Sequence, residues 1–120
     1  MSREYDFLDL LIETGKERER IFENLDSVLK KIRDIVLKWD GEAKVIHFGS
    51  SNVGVLTPES DIDILIVTKY AELRSFIYKL KSEIYSEVGG EGILELHIVT
   101  PEIYKDWYKR FIGDKYRLID

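Results

Sequence analysis

Two aspartates, Asp61 and Asp63, stand at alternate positions at the head of the apolar run "DILIV", which ends at Val67. Side chains two apart on a strand share a face, so these carboxylates project together, roughly 7 Å apart along the backbone. Ile62 and Ile64 then face the other way, into a core. A third carboxylate, Glu95, sits in "ILELHIV", with Leu94 and Leu96 turned away from it. If the two runs are neighbouring strands, Glu95 reaches the face of Asp63. Three negative groups packed that closely repel one another, and without compensation at least one takes up a proton at neutral pH. A divalent cation supplies the compensation. Oxygen ligands with open water positions suit Mg²⁺, and two such ions about 3.5 to 4 Å apart stabilise the attacking and leaving oxygens of phosphoryl transfer. Asp61, Asp63 and Glu95 are therefore the expected catalytic metal ligands.

A complementary element lies upstream. Gly49 and Ser50 follow the short apolar stretch that ends at Phe48. A glycine lets a phosphate approach the backbone, while the Ser50 hydroxyl and the amides after it donate hydrogen bonds to it. Nucleotide phosphates would then sit between the metal ligands and these donors.

The elements that must position these groups are legible in the periodicity. From Arg3 to Trp39 apolar residues recur at helical spacing, and the segment from Ile21 to Trp39 forms a strong amphipathic helix. Between the two apolar groups, "ETGKERER" holds no apolar residue and contains Gly15, so a break between two helices is expected near Gly15. Gly41 stands just past the second helix. Strands are expected over Lys44 to Phe48, Asp61 to Val67 and Ile93 to Val99, with a helix over Tyr70 to Glu87 carrying Leu73, Ile77, Leu80 and Ile84 on one stripe. Thr100 as N-cap and Pro101 as first helical residue open a last helix that Gly113 ends. The first two strands, joined by a short link, should be antiparallel. The second and third, joined through a helix, should be parallel with a right-handed crossover. The fold class is α/β (α+β): a small mixed sheet of at least three strands with helices packed on it. It forms a single domain over residues 1–120, with a helical extension over 1–40 and a core over 44–113.

Composition narrows the function classes. The chain has 120 residues, 44% of them hydrophobic, which suits one core, and it has no cysteine, which removes disulfides, thiolate nucleophiles and cysteine zinc sites. Two histidines alone cannot cage a metal, so any metal must lean on carboxylates. The net charge of −5, with basic residues dispersed, argues against nucleic acid as the partner. No apolar run is long enough to span a membrane and no export signal opens the chain, so a cytoplasmic protein is expected. Glutamine is absent and Lys, Arg, Asp and Glu make up 34% of the chain, a bias associated with thermophiles.

Gly49-Ser50, ten residues, then Asp61-x-Asp63 resembles the signature of the DNA polymerase β-type nucleotidyltransferase superfamily, and within it the minimal nucleotidyltransferases (MNT proteins) found with HEPN-domain partners in prokaryotes. Gly54, four residues after Ser50, and Ser60, directly before Asp61, match that pattern too. The resemblance covers Lys44 to Thr100. It implies that Asp61 and Asp63 bind metal, that Ser50 binds the triphosphate tail, with Gly49 and Ser60 beside it at the nucleotide, and that Glu95 occupies the third carboxylate position. Two departures stand out. Arginines common after the Gly-Ser pair are replaced by Ser51, Asn52 and Val53, and the usual third aspartate is Glu95, one methylene longer.

The implied function is Mg²⁺-dependent transfer of a nucleoside monophosphate, AMP from ATP, to a hydroxyl acceptor. By resemblance that acceptor is a tyrosine of a HEPN toxin, with this chain as antitoxin, and a protein partner or a homodimer presents it. The alternative is a partner-binding module that keeps the fold while triphosphate handling has decayed, with the N-terminal helix and the tail "YRLID" making contacts. Other residues read as structural. His97 shares the face of Glu95 and could assist a proton or a ligand, but packing is the commoner role for such a histidine, and His47 carries a weaker signal still. Tyr104, Trp107, Tyr108 and Phe111 have helical spacing and read as packing. Lys44, Lys105, Lys109 and Arg110 are only candidate phosphate contacts.

Overall fold

The computed structural model describes residues 3–49 and 61–120. Helix α1 (Arg3–Glu23) is followed by α2 (Leu25–Trp39), strand β1 (Lys44–Phe48) and strand β2 (Ile62–Val67). Helix α3 (Arg74–Val88), strand β3 (Leu94–Val99), a last helix α4 over residues 101–112 and a short strand β4 (Tyr116–Leu118) complete the order.

The sheet runs β3-β2-β1-β4. β1 pairs antiparallel with both β2 and β4, and β2 pairs parallel with β3, as the short link and the helical crossover require. β2 is thus central and needs apolar residues on both faces. Ile62, Ile64 and Ile66 pack with α2 and α3 in the larger core, while Leu65 and Val67 join Ile46, Phe48, Val99 and Ile112 in a smaller one under α4.

Three details correct the sequence reading. The helical break falls at Asn24, not Gly15: α1 runs unbroken through Gly15, whose position is open to solvent, so its propensity cost is the small one of an exposed helical glycine. The stretch Lys69–Glu72 forms a separate 3₁₀ turn capped by the Thr68 hydroxyl, so α3 starts at Arg74. Its buried stripe is Phe76, Leu80, Ile84 and Val88, and Leu73 stays exposed. The tail "YRLID" is the fourth strand, with Ile119 buried in the larger core.

α2 is held to the sheet by its buried residues Val28, Leu29, Ile32, Ile35 and Val36. Asp40, buried just past its C-terminus, accepts hydrogen bonds from the Thr68 hydroxyl (2.7 Å) and the Glu42 amide (3.0 Å), tying the helix end to the end of β2. Among the described residues, α1 is anchored at its C-terminal end. Ile21 is fully buried, the Glu17 carboxylate accepts from the Gly90 amide (3.0 Å), and the Arg20 guanidinium donates to the Val88 carbonyl (2.8 Å). Phe7, Leu8, Leu10, Leu11 and Ile12 are all more than half exposed. Among the described residues, no helix is long and apolar enough to cross a membrane.

Candidate active site

The carboxylate-bearing face of β2 is the one under α4, which leaves the start of that strand open. Asp63 is paired with Phe48 across the antiparallel ladder and with Glu95 across the parallel one. His97, two residues beyond Glu95 on β3, returns to the same face by strand alternation. Its Nε2 lies 3.4 Å from Asp63 Oδ1 and 3.8 Å from Glu95 Oε1. One ligand atom from each of Asp63, Glu95 and His97 lies within 4.8 Å of the other two.

The imidazole is held from both sides. Its ring is 5.4 Å from that of Phe48 on β1 and 5.9 Å from that of Tyr108 on α4. The Tyr108 hydroxyl is 3.4 Å from Nδ1. Tyr108 belongs to a π-helical turn, Tyr104–Tyr108, that interrupts α4 between Pro101–Ile103 and Lys109–Ile112. Such turns recur at functional sites. Tyr104 and Tyr108 pack on the smaller core, while Trp107 and Phe111 point outward, 73% and 75% exposed.

Gly49 closes the site from the end of β1. Its φ is +82°, a conformation that favours glycine, and a Cβ there would lie 2.5 Å from Asp63 Oδ2. Phe48, Gly49, Asp63, Glu95, His97 and Phe111, with Ile112 and Lys115, line an open groove of about 560 Å³. Asp61, exposed just before β2, borders with Glu95 and His97 a second groove of about 440 Å³. Among the described residues Asp61 is not in the close triad. Ser50 and Ser60 lie outside the described residues, as do Ser51, Asn52, Val53 and Gly54.

The remaining candidates sit elsewhere. His47 is buried, and burial foremost, aided by the Arg117 charge and opposed by Asp63, pushes its pKa below the ordinary value, so it favours the neutral form. Lys44, Lys105 and Lys109 line a different groove with Asp40 and Thr68. Lys44 pairs with Val67, four residues along the ladder from the Phe48–Asp63 pair, or about 13 Å at strand rise.

Sequence reasoning placed His97 on the face of Glu95 and weighed a ligand role for it, but ranked packing above that role. The signal was the alternation Glu95-x-His97, which mirrors Asp61-x-Asp63. Its significance depends on Tyr108, which reaches it only through the packing of α4 on the sheet. The donor set fits a divalent cation, because two carboxylates and an imidazole nitrogen converge with no described lysine or arginine ion-paired to them.

The model of the family described as "Nucleotidyltransferase domain" matches residues 29–120. A solved crystal structure named "putative nucleotidyltransferase" shares 33% identity with a TM-score of 0.61, covering 76% of this chain and 96% of that one. A second, so named from Sulfolobus solfataricus, shares 20% identity with a TM-score of 0.49, covering 88% of this chain and 84% of that one. The comparison with curated proteins finds no match.

Proposed function

Since the chain belongs to the nucleotidyltransferase domain family, we propose that it is a minimal nucleotidyltransferase that moves AMP from ATP onto a hydroxyl group at the groove beside Asp63. The observation that carries this reading is the pairing of Asp63 with Glu95 across β2 and β3, with the Gly49 backbone against the Asp63 carboxylate. Asp61, Asp63 and Glu95 hold the divalent cations, two Mg²⁺. When bound, these ions neutralise the triphosphate and the charge that develops on the leaving pyrophosphate.

The protein's own part is positioning. Gly49 and Ser50 present backbone and hydroxyl donors to the β- and γ-phosphates, and Ser60 adds a hydroxyl next to Asp61. The acceptor oxygen bonds to the α-phosphorus as the bond to the bridging oxygen breaks, with the two roughly in line. Glu95, the most open of the triad at 55% side-chain exposure, accepts the hydroxyl proton.

A protein partner or a second copy of the chain presents the acceptor at the groove. By analogy the acceptor is a tyrosine of a HEPN-type toxin, with the present chain as antitoxin. The exposed apolar residues Phe7 to Ile12 lie before the family match at residue 29 and offer a contact for that partner or for a second copy. The same exposed helix, with Ser51, Asn52 and Val53 in place of triphosphate-binding arginines, favours a second reading: a partner-binding module without activity.

Incubation of the purified chain with labelled ATP and Mg²⁺, alone and with any co-purifying protein, separates the two. Label transfer by the wild type and not by Asp63→Asn supports the enzyme. Equal labelling, or none with every partner, supports the module.

A further inference from the structure

We propose that His97 is a metal ligand, so that Asp63, Glu95 and His97 form a mixed carboxylate–imidazole centre that takes a first-row transition ion in preference to Mg²⁺. This rests on the reading of the groove as a cation site and revises it at one of the two ion positions: the ion between Asp63 and Glu95 takes His97 as a further donor and is a transition ion in place of Mg²⁺.

The geometry gives His97 a ligand's orientation. Nε2 faces both carboxylates, at 3.4 Å from Asp63 and 3.8 Å from Glu95. Nδ1 faces the Tyr108 hydroxyl. A nitrogen that ligates must present its lone pair, so the ring proton resides on Nδ1, and the Tyr108 oxygen accepts it. Metal-bound histidines are held in this way by a second hydrogen bond, which fixes both tautomer and ring angle. Contacts with Phe48 and Tyr108 restrict the ring further, so little side-chain freedom remains to be lost on binding.

The donor set then decides the cation. Mg²⁺ takes hard oxygen ligands and keeps most of its water. Imidazole nitrogen favours the later divalent ions of the first transition row. Replacing a third carboxylate by a neutral imidazole also lowers the negative charge of the triad from three to two, which weakens the purely electrostatic attraction on which Mg²⁺ depends.

The test uses the untagged full chain, whose only other histidine is the buried His47. Co²⁺ and Mg²⁺ affinities are measured by calorimetry for wild type, His97→Gln and Asp63→Asn, and pulsed EPR reads nitrogen coupling on bound Co²⁺. The expected result is at least tenfold tighter Co²⁺ than Mg²⁺ binding in the wild type, with a directly coupled ¹⁴N. His97→Gln loses the coupling and most of the preference while Mg²⁺ affinity stays within about threefold, and Asp63→Asn loses both ions. A wild type that binds Co²⁺ without ¹⁴N coupling, or a His97→Gln variant with an unchanged Co²⁺ to Mg²⁺ ratio, overturns the assignment of His97 and leaves the cation site standing. Absence of binding by either ion in the wild type overturns both. Should His97→Gln not fold, the wild-type EPR spectrum alone decides.

Discussion

A Cβ placed on Gly49 would lie 2.5 Å from Asp63 Oδ2, so the end of β1 and the first carboxylate of the triad fit together only because residue 49 has no side chain. Gly49→Ala should therefore do two separable things. The positive φ costs about 1–2 kcal/mol of stability. The contact atom is the tip of a side chain, so the fold yields by rotating Asp63 away from Glu95 and His97. Thermal melting is expected to show a modest loss, and cation titration a much larger loss of affinity. Unchanged cation affinity would show that Asp63 tolerates the displacement.

Asp63→Asn should abolish the cation's effect on melting. For the wild type, ligand at a hundred times its dissociation constant stabilises by about 2.7 kcal/mol. In cation-free buffer the variant should melt close to the wild type, since Asp63 is partly exposed and its polar contact among the described residues is a 3.4 Å one with His97. Transfer of label from ATP should fall at least about a hundredfold. Calorimetric melts with and without Co²⁺, beside the transfer assay, check both parts.

Asp40 should matter for stability and not for the site. Asp40→Ala leaves the Thr68 hydroxyl proton buried without its acceptor, at a cost of about 1–3 kcal/mol read by urea denaturation.

Among the described groups whose pKa is shifted, Asp40 and His47 are the two that are buried. Burial disfavours the Asp40 carboxylate, but hydrogen bonds from the Thr68 hydroxyl and the amides of Glu42 and Lys69, with the Lys69 charge, outweigh it and hold the pKa below the ordinary value. A depressed carboxylate contributes stability that is present above its unfolded pKa of about 4 and is lost as pH falls through the lower folded value. His47, also depressed, contributes stability that is full above its unfolded value of about 6.5 and declines as pH falls toward the folded one. Melting temperature should thus begin to fall below about pH 6.5 and fall again below about pH 4. Asp40→Asn should flatten part of the second decline, the rest coming from carboxylates such as Glu17, whose pKa the hydrogen bond with Arg20 also lowers, and should leave the first decline unchanged.

Removal of residues 1–14 should leave the fold nearly as stable as before, because the apolar residues from Phe7 to Ile12 are more than half exposed and belong to neither core cluster. Ile21→Ala, in the same helix, should cost about 2–5 kcal/mol. Circular dichroism melts of the two variants make the comparison. If the truncated chain instead unfolds, the exposed turns of α1 support the core in a way their burial does not show.

The sequence by itself determined the strand order of the carboxylates and their shared face, because alternation along a strand is a local property: Asp63 and Glu95 lie on the same face of a parallel pair whose existence follows from the helix between them. It also determined the cap and start of α4 at Thr100 and Pro101, which are local backbone chemistry. Tertiary structure alone decided what could not be local. The position of the α1–α2 break depended on how Ile21 and the Glu17 and Arg20 contacts dock against α3 and the Gly90 loop, and not on the glycine in the exposed turn. The tail became β4 because β1 has an edge that must be paired. Alternation put His97 on the face of Glu95, but the contact of its other nitrogen with a tyrosine eleven residues later, carried on a helix that folds back over the sheet, depends on packing between elements.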